Sequence, residues 1–480
     1  MRLIRYFSTL DKNPSIIELV QNPLGRFCFF VCSVLIFSIE SNNLVQSILL
    51  MGMSFTYAYT SRYKEQLLLL FTQCLGIYRI AFAPNDLHDD IAKVMVQEHF
   101  SGLAAWELAL LAYGIYVLLA WLCLAYVRHR PHSLVARRPI TLLLTGAFTL
   151  LFLSTGEVVE GAGRVLLWSF LIIYCAYIWF FAYALLDQTS KARSSDCLQL
   201  GTLHPFWGST TLPYGKGAAL LRKTQATSDR ELAVTQIKGF KLLVWAVLLL
   251  GLDTALKFAF ENHLHLHSIE FEIDAYLAHT PGTRVRHWLS LVWSQIDFVL
   301  WFAMWGNIVV ATARFAGFRL PQSTWRPFEA RTLIEYFNRI VYYFKELMVD
   351  IFFTPTFLSV FKRHPRLRMF FATFMAAGVG NAAYHFFRDI SLAADVGLIT
   401  FFLSFTSYAF YCVVLACAIG LSQVRASKGY RPSASLIGRM QSFICVWGFV
   451  TILQIFGDET RSHTLDDRLR YLFYLFGILT

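Results

Sequence analysis

Asn381 and His385 stand four residues apart in the otherwise apolar stretch Gly378-Val379-Gly380-Asn381-Ala382-Ala383-Tyr384-His385-Phe386-Phe387. That spacing puts both side chains on one face of a helix. An imidazole titrates near neutrality and accepts a proton from a hydroxyl, whereas a neutral amide does not. His385 is therefore the candidate general base, and Asn381 a group that orients it or donates to a developing charge. A polar side chain at membrane depth is costly and persists where it faces a bundle interior or an aqueous cavity, so its default reading is functional. The competing reading is a satisfied bundle histidine. Gly378 and Gly380, just upstream, allow another helix or a ligand to approach the backbone.

Other polar residues carry weaker signals. His263, His265 and His267 alternate, and on a strand they would share one face, where three imidazoles suit zinc or copper. Solvated or acceptor-contacting histidines fit the same spacing, and no other ligand type lies nearby in sequence, so no metal site is expected. Asp253 and Lys257, at i and i+4, read as an internal pair. Asp297 with Gln295 is a lone polar spot that could line a cavity. Gly378-x-Gly380 follows no strand and is not a nucleotide fingerprint.

The elements that must position these groups are read from composition. The chain has 480 residues, of which 56% are hydrophobic and 15% charged, with 44 Phe. So little charge does not cover a soluble globule of this size, and apolar runs of spanning length recur along the whole chain. The expected fold is all-α: a polytopic integral membrane protein of about 10–12 transmembrane helices. The expected organisation is a single membrane domain over 1–480, with N-terminal helices in 1–190, a core in 200–390 and C-terminal helices in 391–480. Candidate spans fall at about 27–39, 44–60, 66–84, 104–126, 140–154, 165–186, 239–260, 288–313, 369–388, 394–421 and 440–456.

The net charge of +11 is spread over short loops rather than gathered in one patch, which argues against nucleic acid as a partner. The nine cysteines lie mostly in apolar runs with no CxxC pair, so neither a disulfide framework nor a zinc site is indicated. Met1 to Val20 lacks a small-residue cleavage site after an apolar core, and the first span is expected to direct insertion. Lys and Arg are retained on the cytoplasmic side. The loops at 128–138 and 422–439 carry Arg128, Arg130, Arg137, Arg138, Arg425, Lys428, Arg431 and Arg439 without an acid. Alternation from these anchors places the N-terminus and 187–238 in the cytoplasm, with 85–103, 155–164, 261–287 and 457–468 outside.

The stretch 314–368 breaks the alternation. Arg319, Arg326, Glu329, Arg331, Glu335, Arg339, Lys345, Glu346 and Asp350 are too frequent for a lipid-facing span, while Ile334, Phe337, Val341, Phe344 and Met348 recur at helical spacing. An amphipathic helix at the interface is expected, followed by a re-entrant run at 351–361 interrupted by Pro355.

Gly317-Phe318-Arg319-Leu320-Pro321, then Pro327-Phe328-Glu329-Ala330, then Thr332-Leu333-Ile334-Glu335-Tyr336-Phe337-Asn338-Arg339 resembles the central motif of the membrane-bound O-acyltransferase family. In that family the motif is followed, some tens of residues on, by an intramembrane His after a small-residue stretch. Aligned on Gly378 without gaps, that His falls on Asn381, with His385 one turn later. Either the base has moved to His385, with Asn381 orienting it, or the chain has lost catalysis. A second departure is Val341, where many members carry His or Asn, and Asn338 is the nearest substitute. His204-Pro205-Phe206-Trp207 through Gly215 is loosely similar to a further family segment. The resemblance covers roughly 200–390 and is strong at 317–339.

The resemblance implies an acyltransferase moving an acyl group, acetyl among them, from a cytoplasmic acyl-CoA or acyl-carrier-protein thioester to a hydroxyl of a glycan or lipid. No bound cofactor is implied. His385, Asn381 and Asn338 are the expected catalytic set. Glu335, Arg339 and Arg326 are either donor-side binding groups or ion-paired residues that hold the motif at the interface. Accessory subunits and a bacterial inner-membrane location fit this picture. The rival readings are a transporter or flippase and an inactive scaffold subunit of a membrane complex.

Overall fold

Several helices begin where the sequence supplies a cap. Asn13 and Asn22 each precede a proline, and their side chains accept from Ser15 N and Leu24 N to open Pro14–Gln21 and Pro23–Ser41. The amide oxygen satisfies an orphan N–H while proline occupies a position that needs no donor. These two helices then run to Asn22, in the β region, and Asn42, in the left-handed region.

The structure, a computed structural model, describes residues 7, 9–82, 86–156, 158–208, 216–430, 435–457 and 461–479. Among these it is all-α, with one isolated bridge, Gln225 to Phe318. The expected spans are helical where described, from Pro23–Ser41 to Leu436–Leu453, except that 394–421 is not one helix: it is divided into Leu392–Val396, Leu398–Ser404 and Thr406–Ser427, with a break at Gly397, whose φ is 78°. Among the described residues, seven helices are long and apolar enough to cross a membrane, or eight if the bent pair Lys64–Phe82 and Leu87–Gln97 counts as one span. Leu44–Tyr59 and Pro139–Thr155 have 16 and 17 residues, short for an upright crossing. The chain is thus an all-helical, polytopic protein of membrane type.

Contacts divide it into two compact units. The first comprises Met1–Leu243, Val309–Pro321 and Phe387–Phe401. Its centre is Gly161–Gln188, apolar all round and largely buried, as a core helix must be. Tyr113, Tyr116, Tyr177 and Phe181 interlock there. The second comprises Val244–Ile308, Gln322–Phe386 and Phe402–Thr480. One of its cores joins Leu291, Leu415, Leu453 and Tyr471, and another joins Val299, Tyr336, Ile340, Val446 and Trp447.

Residues 334–348 do not form the single amphipathic helix that their periodicity predicts. Leu333–Ile340 and Tyr342–Met348 are separate helices broken at Val341, whose φ is −126° and ψ 53°. The break is stabilised by the extended segment 323–325. Trp325 N donates to Arg339 O at 2.7 Å and Tyr342 N to Ser323 O at 3.3 Å, while Thr324 Oγ1 donates to Ile340 O at 2.7 Å. Backbone groups freed by the interruption therefore find partners, the condition for breaking a buried helix. Beyond it, Val349–Phe353 is π-helical and Thr354–Ser359 ends the run, so the segment crosses no bilayer as one regular span.

Candidate functional site

His385 lies in a helical stretch assembled from Pro365–Phe374, the π-helical turn Met375–Gly380 and Asn381–Arg388. π turns are insertions that occur often at functional sites. Here the glycines explain the close approach. A Cβ on Gly380 would sit 2.6 Å from Phe352 Cδ2, and one on Gly378 would sit 3.1 Å from Ala416 Cβ. Two neighbouring elements therefore press against the turn that precedes Asn381.

Asn381 is buried and its Oδ1 accepts from the Tyr408 hydroxyl at 3.2 Å. His385 is half-buried in an aromatic surround: Tyr408 at 4.5 Å between centroids, Tyr384 at 5.2 Å and Phe344 at 6.0 Å. The shared helical face of Asn381 and His385 thus meets one residue, Tyr408, through its hydroxyl and its ring respectively. Arg461 stacks over the same ring, its guanidinium 4.6 Å from the centroid, and over Phe405 at 4.6 Å. A guanidinium on an aromatic face is favourable, more so when desolvated as here.

The motif residues do different work. Asn338 is exposed on Leu333–Ile340, and the structure does not place it in the aromatic surround of His385. Thr332 caps that helix by accepting from Glu335 N at 3.1 Å, and Glu335 Oε2 accepts from Arg331 N at 2.9 Å. Both bonds satisfy backbone N–H groups at the helix start. Arg326 and Arg339 both stack on Trp325, at 5.1 and 5.2 Å. Glu329 lies 3.3 Å from Arg326 and 3.7 Å from Arg339. These contacts clasp the segment, although such exposed pairs add at most about 1 kcal/mol each. Arg326 takes left-handed backbone, φ 45°, which turns the chain into Pro327–Glu329.

Tyr336 points inward from the same helix and accepts from Gln295 Nε2 at 2.8 Å. Burial pushes its phenol up against the opposing effect of that bond. Gln295 is therefore a buried hydrogen-bonding group. Asp297, its expected companion, instead joins Asp253 in holding Lys257, both at 3.0 Å. The i,i+4 pair read from the sequence has a third member.

No strand carries His263, His265 and His267. His263 ends the π-helical turn Phe258–His263, His265 has φ 52°, and His267 stacks on Phe271 at 4.3 Å. Among the described residues no group of three His, Cys, Asp or Glu is gathered as a metal site. His204 is buried against Tyr177 at 4.9 Å and Phe180 at 6.1 Å. Burial, with the Arg79 guanidinium nearby, pushes its imidazole down to about 3. The rest of that loosely matching segment, 209–215, lies outside the described residues, as do Glu157, Arg431, Asp458 and Glu459.

Sequence reasoning missed Tyr408 and Arg461. Nothing distinguishes Tyr408 among the aromatics of its apolar run, whereas Arg461, one of two arginines in the acid-rich loop at 457–468, was a usable signal. It also missed a buried cluster in which Glu272 Oε2 lies 2.9 Å from His287 Nδ1 and 3.1 Å from Arg286, with Ser290 donating to Oε1 at 3.1 Å.

No family model matches the chain, and no curated protein matches it.

Proposed function

We propose that this protein is a membrane O-acyltransferase in which His385 is the general base. The observation that carries the reading is the fixed relation of His385 to Asn381 through Tyr408, downstream of a segment that resembles the O-acyltransferase motif. His385 takes the proton of an acceptor hydroxyl as its oxygen attacks the thioester carbonyl carbon. The carbon–sulfur bond then breaks, and the imidazolium returns the proton to the departing thiolate. An aromatic surround suits this role, because rings packed about the imidazole hold it in one orientation and a positioned base is what proton abstraction needs. Asn381 holds Tyr408 in register with the base. Glu335, Arg326 and Arg339 form the clasp that maintains the motif, and Asn338 stands on its exposed face, available to a substrate.

The donor in this reading is a cytoplasmic acyl-CoA or acyl-carrier-protein thioester, and the acceptor is a glycan or lipid hydroxyl. The protein sits in a bacterial inner membrane with its N-terminus in the cytoplasm, as the loop charges favour. A second reading, an inactive scaffold subunit, draws on two observations: Asn381 occupies the aligned position of the family's His, and Asn338 is exposed.

Mass spectrometry of surface glycans and lipids from cells with wild-type or His385→Ala protein tests the proposal. Loss of a positioned base costs about 10²- to 10⁴-fold in rate, so the acyl mark should disappear while the variant remains folded and inserted. An unchanged mark would reject His385 as base. A mark that also survives deletion of the whole protein would favour a scaffold or a transporter.

A further inference from the structure

A pocket of about 520 Å³ opens at the start of Asp229–Lys257, lined by Thr227, Arg230, Glu231, Lys238, Arg314 and Arg319 among others. Four cationic side chains thus face one carboxylate. We propose that this pocket binds a phosphate-bearing ligand, either a soluble phosphorylated molecule or the phosphate of a lipid headgroup. The proposal stands apart from the acyl-transfer reading, since it concerns binding in the first unit and needs no chemistry at His385.

Basic residues near a membrane are common, and topology alone would place them. Topology does not gather cations from two chain segments, 230–238 and 314–319, around one concavity. Here that convergence is built by the backbone. Gly317, at φ 92°, makes a turn that a side-chain-bearing residue adopts with strain. The turn lays 317–319 antiparallel to 224–226, with Ala226 N donating to Gly317 O at 2.9 Å and Arg319 N to Thr224 O at 2.8 Å. Phe318 anchors the far side on Tyr57 at 5.4 Å and Trp207 at 5.1 Å. Arg314 is held at the wall by its bonds to Leu320 O, at 3.0 and 2.6 Å.

The charges are unequally compensated. Glu231 pairs with Arg319 and also accepts from Thr227 N at 2.8 Å, so the one lining carboxylate is committed. Lys238 lies 3.9 Å from Asp11, but Lys241 holds that carboxylate more closely, at 2.6 Å. Arg230 is exposed beside the opening. A phosphate group meets several cations better than a single carboxylate does, since it has more unesterified or bridging oxygens to accept from guanidinium and ammonium donors at once. The volume lies in the range of ordinary ligand sites.

Titration calorimetry on the purified full-length protein in detergent tests this with inorganic pyrophosphate, coenzyme A and dihexanoyl phosphatidylglycerol as probes. Saturable binding of the first two identifies a soluble source, and of the lipid alone a headgroup. In either case Arg230→Gln/Lys238→Gln should weaken binding about tenfold or more, as loss of charge-assisted bonds does. Lys191→Gln/Lys223→Gln, the same charge change at exposed positions outside the pocket, should leave affinity within about twofold. If the first double variant does not fold, Arg230→Gln alone should still weaken binding several-fold. Absence of saturable binding by all three probes, or equal weakening by the two double variants, overturns the proposal.

Discussion

The Tyr408 hydroxyl donates to Asn381 Oδ1 at 3.2 Å, while the ring of the same Tyr408 lies 4.5 Å from His385. One side chain therefore fixes two residues of a neighbouring helix that stand a single turn apart. Deleting the hydroxyl and deleting the ring have separable consequences.

Tyr408→Phe keeps the ring against His385 and leaves the buried Asn381 carbonyl without that donor. The expected cost is about 1–3 kcal/mol of stability, the penalty of an unsatisfied buried acceptor. Tyr408→Ala removes the ring as well and should cost more, about 3–5 kcal/mol. Thermal melts in detergent read both. Equal melting temperatures for Tyr408→Phe and wild type would mean that the bond holds nothing in place.

Close packing at the π turn gives a second expectation. Gly380→Ala introduces a methyl 2.6 Å from Phe352 Cδ2 and 3.0 Å from Met348 Sδ, so neighbours must shift, at about 1–3 kcal/mol. Gly114→Ala, whose added methyl meets nothing within 4 Å, is the matched control and should be neutral or stabilising by up to about 1 kcal/mol, the helix preference of Ala over Gly. A comparison of their melting temperatures distinguishes tight packing from a general intolerance of Ala in these helices.

The helices were legible because apolar runs of spanning length leave few alternatives. The Asp253–Lys257 pair was legible because i,i+4 geometry is local. Asp297 joins it from another helix, and Tyr408 meets Asn381 across 27 residues of sequence; periodicity within one segment carries no information about such partners. Val341 shows the opposite failure. Its flanks keep helical periodicity, yet tertiary hydrogen bonds from 323–325 make the break more favourable than continuation. The arginines at 326 and 339 were visible as charges, but their common seat on Trp325 was not.

That break yields a third expectation. Thr324→Val preserves shape but removes the donor to Ile340 O, a buried carbonyl left over by the interrupted helix. Destabilisation of about 1–3 kcal/mol is expected, together with faster hydrogen exchange at Tyr342 N, whose partner Ser323 O lies on the same segment. Unchanged exchange at Tyr342 would show that the helix breaks for reasons internal to 334–348.

Two buried groups outside the spans set the acid sensitivity of the protein in different windows. His204 is pushed down to about 3 by burial and by Arg79, whereas in an unfolded chain its pKa is about 6.5. Below that value the unfolded chain binds more protons than the folded one, so stability erodes as pH falls from about 6.5 towards 3. Burial alone would raise Glu272, but hydrogen bonds from His287 and Arg286 outweigh it and hold the carboxyl below its ordinary value. Its contribution is present above the ordinary carboxylate range, near about 4.3, and is lost only as pH falls through the lower folded value. Melting curves at pH 7, 5.5 and 4 should therefore show a loss already at pH 5.5 that is reduced in His204→Phe, a ring compatible with the Tyr177 and Phe180 contacts. Glu272→Gln should be less stable than wild type at pH 7, because Arg286 and His287 lose their carboxylate, and should approach wild type only in stronger acid. An identical pH 7-to-5.5 loss in His204→Phe would show that His204 is not the group that titrates there.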